Sequence, residues 1–535
     1  MRAFLSVSLV SVLVSGLMID PQSASARQGA GTPNTPIQHI VIIFGENISF
    51  DHYFATYPSA VNPPGEPAFH AAATTPTVNG LSGALLTNNP NLLNPANGAG
   101  ASNPFRLDRS QALTADQNHA YMAEQQAYDN GLMDLFPVRT GSAGNTPGYY
   151  PPVINTKGLV MGYFDGNTVT GLWNYAQRFA MNDNSFSTQF GPSTPGAINL
   201  ISGQTNGITI ATNLPNSAIV SDGNGGLSLI NDDDPYADVC STSTGTTVQF
   251  GGTNVGDLLN QAGVSWGWFE GGFDLTATNP NGTTGCNRST VSPITGLSTR
   301  DYIPHHQPFQ YYASTGNLAH TRPTSVSAIG KQGDAANHQY DINDFYKAVQ
   351  AGNFPAVSYL KAPAYQDAHP GYSNPLDEQA FVVHVTNFLQ QQGVWANTAV
   401  VVAYDDSDGW YDHQIAPIVN TSASTADALT GTSCGNGATA LPGVNPATTH
   451  AQGRCGYGTR MPLLVMSPYA KPNFVDHTVT DQTSVLRFIE DNWLGGQRIG
   501  QGSFDSYANS LTTMFNFNQI SNPGLTLSET TGLVQ

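Results

Sequence analysis

Charge is scarce in this chain, and positive charge is scarcest. Only 10% of its 535 residues are Asp, Glu, Lys or Arg, and 18 Lys and Arg face 37 acids, for a formal charge of −19. A field of that sign repels nucleic acid and anionic membrane surface, so neither is an expected partner. An acidic surface also simply keeps a protein soluble, and the count alone does not separate the two readings. Cysteine is sparse as well. Cys240, Cys286, Cys434 and Cys455 are all there is, and no pair has the close ligand spacing of a structural zinc site. There is no GxxxxGK[ST] phosphate loop, no GxSxG elbow around a candidate serine and no HExxH helix, which excludes the nucleotide and zinc-protease classes at the motif step. Beyond the N-terminus no stretch is apolar enough to span a bilayer, so no stable membrane insertion is expected.

What is plentiful is Gly (55), Pro (35) and apolar residues (39%). That composition suits short elements joined by long ordered loops around a sizeable core. The N-terminus reads as an export leader over residues 1–26. Arg2 supplies the charge, Phe4 to Met18 the apolar stretch, and Ala24-Ser25-Ala26 the small residues before a cut. The expected location is periplasmic or secreted, with one catalytic domain over 27–535 and no obligate protein partner. An even cysteine count in an exported chain favours disulfides. Of the three connectivities, Cys240–Cys286 and Cys434–Cys455 are expected, because each nearer pair lies in a polar, Gly-rich stretch.

Continuous β-branched runs at Gln38–Phe44, Val264–Phe269, Ala356–Leu360, Thr398–Tyr404 and Met461–Met466 have the character of strands buried on both faces. Helical spacing lies between them: Val255–Gln261 before Gly263, Phe381 to Leu389 before Gly393, and Val485 to Ile489 after Asp481, an acid in a first turn. Strands alternating with helices predict an α/β fold, a three-layer sandwich with a mostly parallel central sheet. Residues 71–105 and 420–453 read as long surface excursions.

Ligands in such folds sit beyond the carboxyl ends of strands, and two polar clusters fall there. Glu46-Asn47 follows the first strand and offers hard oxygen ligands for a divalent cation; the plain alternative is a strand-end turn. Asp405-Asp406 follows Thr398–Tyr404, and adjacent carboxylates repel unless a cation compensates; a solvated acidic turn is the alternative. Ser193, just before Thr194-Pro195, reads as a helix N-cap, with its hydroxyl at a positive helix end where phosphate binds; it could also be a cap and nothing more. His119, His305, His306 and His369 are each more often structural than functional, yet together could hydrogen-bond phosphate oxygens and protonate a leaving group.

In order, HIVIIFGENISFDHYFATYP, MGYFDGNTVTGLWNYAQRF, FSTQFGPSTPGAINLISGQ, WGWFEGGF, YDDSDGWYDH and PLLVMSPYAKPNFVDHTVTDQTSVLRFIEDNW span residues 37–494. They resemble the bacterial phosphoesterase family that unites acid phosphatases with exported phospholipases C, within the alkaline phosphatase superfamily. The resemblance implies one divalent ion (Ca, Mg, Mn or Zn) held by Glu46, Asn47, Asp405 and Asp406 and touched by Ser193. It makes Ser193 the nucleophile that becomes phosphoserine, His119, His306 and His369 catalytic, and Asn47, His305 and Asn199 substrate-binding. Small phosphate esters are the implied substrates. Phospholipase members tend to read PTYPNR where this chain has PSTPGA, and only residues 495–535 follow the last matching segment. Both features point to an acid phosphatase, with a phospholipase C and a non-catalytic exported binding protein as the alternatives. Glu270, where a neutral amide is expected, and Ile48, where many relatives have Arg, leave substrate range open.

Overall fold

A computed structural model describes residues 31–144, 152–223, 225–242, 245–420, 422–429, 434 and 452–535. The expected leader, and much of the excursion after Asn420, lie outside the described residues.

The apolar runs form strands within a residue or two of expectation. In chain order the central sheet contains β1 (His39–Gly45), β2 (Ala180–Phe186), β3 (Trp266–Glu270), β4 (Gln339–Asp341), β5 (Val357–Lys361), β6 (Thr398–Tyr404), β7 (Arg460–Met466), β8 (Phe474–Asp476) and β9 (Thr480–Asp481). Their spatial order is β4-β3-β5-β1-β6-β7-β2-β8, with β9 also pairing β2. Pairing is parallel except where β7 runs against β6 and against β2. Two reversals restore the direction, so β2 runs with β1 and β6. The carboxyl ends of β3, β5, β1, β6 and β2 therefore open on one edge of the sheet. Every residue of β6 and β7 is buried, as strands covered on both faces must be. The chain has the expected α/β architecture, with a large, mainly parallel central sheet.

Eight helices matter here: α1 (Phe50–Phe54), α2 (Tyr121–Tyr128), α3 (Thr170–Arg178), α4 (Ser193–Ser202), α5 (Val255–Ala262), α6 (Ile342–Gln350), α7 (Pro375–Gln391) and α8 (Gln482–Trp493). Gly263 ends α5 at φ 67°, the left-handed cap its position predicts. Asp481 is not in the first turn of α8 but is its N-cap, in a reciprocal capping box with Ser484.

Strand β2 reads AMNDNSF, too polar for the pattern of a buried strand, yet all but one of its residues are buried between β7 and the edge strand β8. Loops satisfy its polar groups: Asn182 Nδ2 donates to Thr478 O at 2.8 Å, and Asp183 accepts from Asn79 N at 2.7 Å. The excursion at 71–105 is also more regular than its composition suggests. It carries short helices Ala84–Thr87 and Pro90–Leu93, and asparagine side chains pin it, as where Asn91 Nδ2 donates to Met133 O at 2.8 Å. Both expected disulfides form, Cys240–Cys286 and Cys434–Cys455.

Candidate active site

Strands β1 and β6 pair in parallel with Gly45 opposite Tyr404. Glu46-Asn47 and Asp405-Asp406 consequently leave the sheet side by side. Asn47 N and Asp406 N donate to the same oxygen, Asp405 Oδ1, at 2.9 and 2.7 Å. Asp405 Oδ2 and Glu46 Oε2 are left buried without a hydrogen-bond partner. Asn47 (φ 61°) and Asp408 (φ 56°) both take the left-handed conformation that Asn and Asp tolerate best among side-chain-bearing residues, and it turns each chain back over the site.

From β2 the chain reaches α4 through residues 187–192. Ser193 is the first residue of α4, not its N-cap: Pro192 holds the cap position and no side chain caps there. The difference has a cause. Asp232 Oδ1 accepts from Thr194 N at 2.9 Å and so does the capping from outside. The Ser193 hydroxyl is released to donate toward Asp406 Oδ2 at 3.1 Å and Asn47 Oδ1 at 3.4 Å.

The four histidines stand in a row. Ring centroids are 4.6 Å apart for His305–His306, 6.4 Å for His306–His369 and 5.9 Å for His369–His119. His119 Nδ1 lies 2.9 Å from Gln117 O and 3.2 Å from Asp408 Oδ1. Burial opposes its charge, but Asp406 and Asp408 outweigh burial and hold it well above the usual histidine range. His306 Nδ1 is 3.3 Å from Glu46 Oε1, and burial with three neighbouring histidines drives its pKa far down. Burial lowers His369 to about 4. His305 works against burial too, and its hydrogen bond to Asp234 raises it. Asn199, in the last turn of α4, donates to Gln189 Oε1 at 3.4 Å and its Oδ1 is buried without a partner, so it is not brought to the Ser193 hydroxyl.

Other residues join the cluster without having been singled out from sequence. Asp408 accepts from Asn47 Nδ2 and from Gln117 N, both at 3.1 Å, and burial pushes it up to about 8. Glu124 on α2 accepts from Gly191 N at 2.8 Å and from Ser407 Oγ at 2.7 Å, fastening the serine loop to the aspartate loop. Lys361 closes β5 and donates to Glu46 Oε1. Asp408 was visible within YDDSDGWYDH. Lys361 showed only as the end of an apolar strand, and Glu124 sits on a helix with no apolar stripe to mark it. Asp412 and His413, from the same motif, serve another purpose: Arg460 Nε reaches both Asp412 oxygens at 3.1 Å, and His413 Nδ1 lies 2.7 Å from Asp51 Oδ2. An arginine already fills that acidic group.

Glu46, Asp405, Asp406, the Asn47 amide oxygen and the Ser193 hydroxyl offer only oxygen donors, and two of the carboxylate oxygens, Glu46 Oε2 and Asp405 Oδ2, are buried without a partner. Buried carboxylates persist when paired or when they hold a metal, so these residues fit a hard divalent cation.

A family model described as the Phosphoesterase family matches residues 37–494. The chain belongs to that family. Similar members are phospholipases C by name. The non-hemolytic phospholipase C of Pseudomonas aeruginosa is 25% identical over 471 residues, 85% of this chain and 54% of that protein. The non-hemolytic phospholipase C of Burkholderia pseudomallei is 24% identical, covering 93% of this chain and 61% of that protein. Phospholipase C A of Mycobacterium tuberculosis is 24% identical, covering 90% and 78%. This phosphoesterase thus spans a little over half the length of the first two relatives. A crystal structure of a protein in the alkaline phosphatase superfamily from Vibrio parahaemolyticus aligns over 77% of this chain and 76% of that one, at 12% identity and a TM-score of 0.27, a score too low to bear on the fold.

Proposed function

We propose that this chain hydrolyses phosphate esters with Ser193 as nucleophile, and that phosphodiesters of the phospholipase C type are its substrates. The observation that carries the chemistry is the Ser193 hydroxyl lying 3.1 Å from Asp406 and 3.4 Å from Asn47, beside two partnerless carboxylate oxygens. The names of the relatives support the diester reading over the acid phosphatase first expected.

A divalent ion bound by Glu46, Asn47, Asp405 and Asp406 would neutralise a phosphoryl oxygen and lower the pKa of the serine hydroxyl. Ser193 gives its hydroxyl proton to Asp406 Oδ2, 3.1 Å away, as its Oγ forms a bond to phosphorus and the bond to the leaving alcohol breaks. His119, whose Nδ1 lies 3.2 Å from Asp408 Oδ1, gives that leaving oxygen its proton. In the second half water gives a proton to the now neutral His119 and bonds to phosphorus as Ser193 Oγ leaves and takes its proton back from Asp406. His305, His306 and His369 line the approach and orient phosphate oxygens, and Asn199 holds Gln189 in the segment that leads into α4. The two disulfides fit an exported protein, periplasmic or secreted, and among the described residues no helix is long and apolar enough to cross a membrane.

A phosphomonoesterase is the second reading, and buried Lys361, which supplies local positive charge, favours it. The test is to supply Ca, Mg, Mn or Zn with a chromogenic phosphocholine diester and, separately, an aryl phosphate monoester. Diester turnover is expected. Turnover of the monoester alone gives the acid phosphatase, and turnover of neither with any ion leaves a binding protein.

A further inference from the structure

Lys361 is the last residue of β5, in register with Glu270 of β3. It is 1% exposed, its ammonium stands 5.3 Å over the Phe44 ring, and it donates to Glu46 Oε1. His306 Nδ1 shares that oxygen at 3.3 Å, while Glu46 Oε2 has no partner. Burial works against the charge of Lys361, and Asp405, Asp367 and Asp406 on the neighbouring loops oppose that loss. Glu46 is thus held by two basic side chains, and His306 Nδ1 also lies 3.8 Å from Asp367 Oδ2. Lysine is almost never fully buried unless paired, and here its partner is a residue of the proposed metal site.

We propose that Lys361 is a resident cation of this carboxylate cluster, sharing Glu46 with the metal, and that it raises the affinity of the site for doubly charged phosphate relative to singly charged phosphate. The proposal rests on the metal-assisted reading above. Its physical basis is Coulombic. A fixed positive charge attracts a phosphate in proportion to the phosphate's own charge, and repels a metal cation in the same pocket. Lys361 acts through Glu46 and through its field, so it is a positioning residue. For a diesterase the consequence is tighter hold on the phosphomonoester product. For a monoesterase it is preference for the substrate.

Opposite signs make the idea testable. Titration calorimetry on K361M should show manganese binding tighter by roughly tenfold, and inorganic phosphate, at a pH where it is doubly charged, binding weaker by roughly tenfold to the metal-loaded protein. Dimethyl phosphate, with one charge, should lose only about threefold. K361R should keep the wild-type ratio of the two phosphates. Equal losses for both phosphates, or manganese affinity falling alongside phosphate affinity, would mean a merely structural lysine and overturn the proposal. Should K361M not fold, K361Q carries the same measurements; if neither neutral variant folds while K361R does, Lys361 is a structural counter-charge and the proposal fails. Absence of manganese binding by the wild type is a different result, since it removes the metal-assisted reading itself.

Discussion

Gly196, one turn into α4, rests directly against the main chain of Asp405. A Cβ at that position would overlap the Asp405 carbonyl group, 2.6 Å from its carbon and 2.9 Å from the Asp405 Cα. Only glycine lets the helix come this close, and this closeness brings the Ser193 hydroxyl to Asp406. Gly196→Ala must push α4 away from the end of β6. The expected cost is about 1–3 kcal/mol of stability, together with a loss of turnover on the order of a hundredfold, since roughly 1 Å of misplacement suffices for that. Comparing melting temperature with kcat/KM checks it; a variant that keeps wild-type kcat/KM would detach the close contact from catalysis.

Ser193→Ala separates chemistry from folding. The hydroxyl makes side-chain bonds to Asp406 and Asn47 and caps no backbone amide. Losing it costs the fold only about 1 kcal/mol, while turnover is abolished. Wild-type-like hydrolysis by purified Ser193→Ala removes the proposed nucleophile.

Chelation should lower thermal stability as well as activity. Glu46 Oε2 and Asp405 Oδ2 are buried without partners, so the metal-free protein keeps carboxylate oxygens that neither water nor protein satisfies. An ion at about 100 times its dissociation constant adds about 2.7 kcal/mol. Differential scanning calorimetry before and after EDTA, then after restoring each divalent ion, measures this. An unchanged melting temperature would argue against the site.

Glu378 supplies a pH dependence distinct from catalysis. Its carboxylate accepts from the Tyr53 and Tyr404 hydroxyls, 2.8 and 2.5 Å away, and burial pushes its pKa from 4.5 up to about 7. The folded state thus favours the protonated acid. Its contribution is complete below pH about 4.5, is lost as pH rises toward about 7, and amounts to roughly 3 kcal/mol. Glu378→Gln should flatten the stability profile across that window in urea titrations. A variant whose profile keeps the wild-type slope there would place the effect on another group.

The two disulfides should differ in worth. Cys240–Cys286 closes 46 residues and Cys434–Cys455 closes 21. Chain-entropy reasoning gives about 4 and about 3 kcal/mol respectively. Removing the first pair should destabilise more in equilibrium unfolding, and the reverse order would point to strain or residual unfolded-state structure.

Strands β1, β5, β6 and β7 were legible because their residues are apolar on both faces, a pattern few other structures leave in a sequence. The polar strand β2 was not, because its Asn and Asp are satisfied by loops distant in sequence. The position of Ser193 was half legible. Pro195 marked a helix beginning near it, but the cap went to Pro192, with the Thr194 amide taken by Asp232 almost forty residues away.

Local chemistry in the sequence set which groups could serve: hard oxygen donors at strand ends, a serine where a helix starts, and histidines free to carry protons. Local order in the chain says nothing about which distant segments meet. The parallel register of Gly45 with Tyr404, the packing of Gly196 on Asp405, and the burial that draws Lys361 onto Glu46 all come from the assembled sheet. Charges, pKa shifts and partnerless oxygens at the site are products of that burial, and burial exists only once the chain has folded.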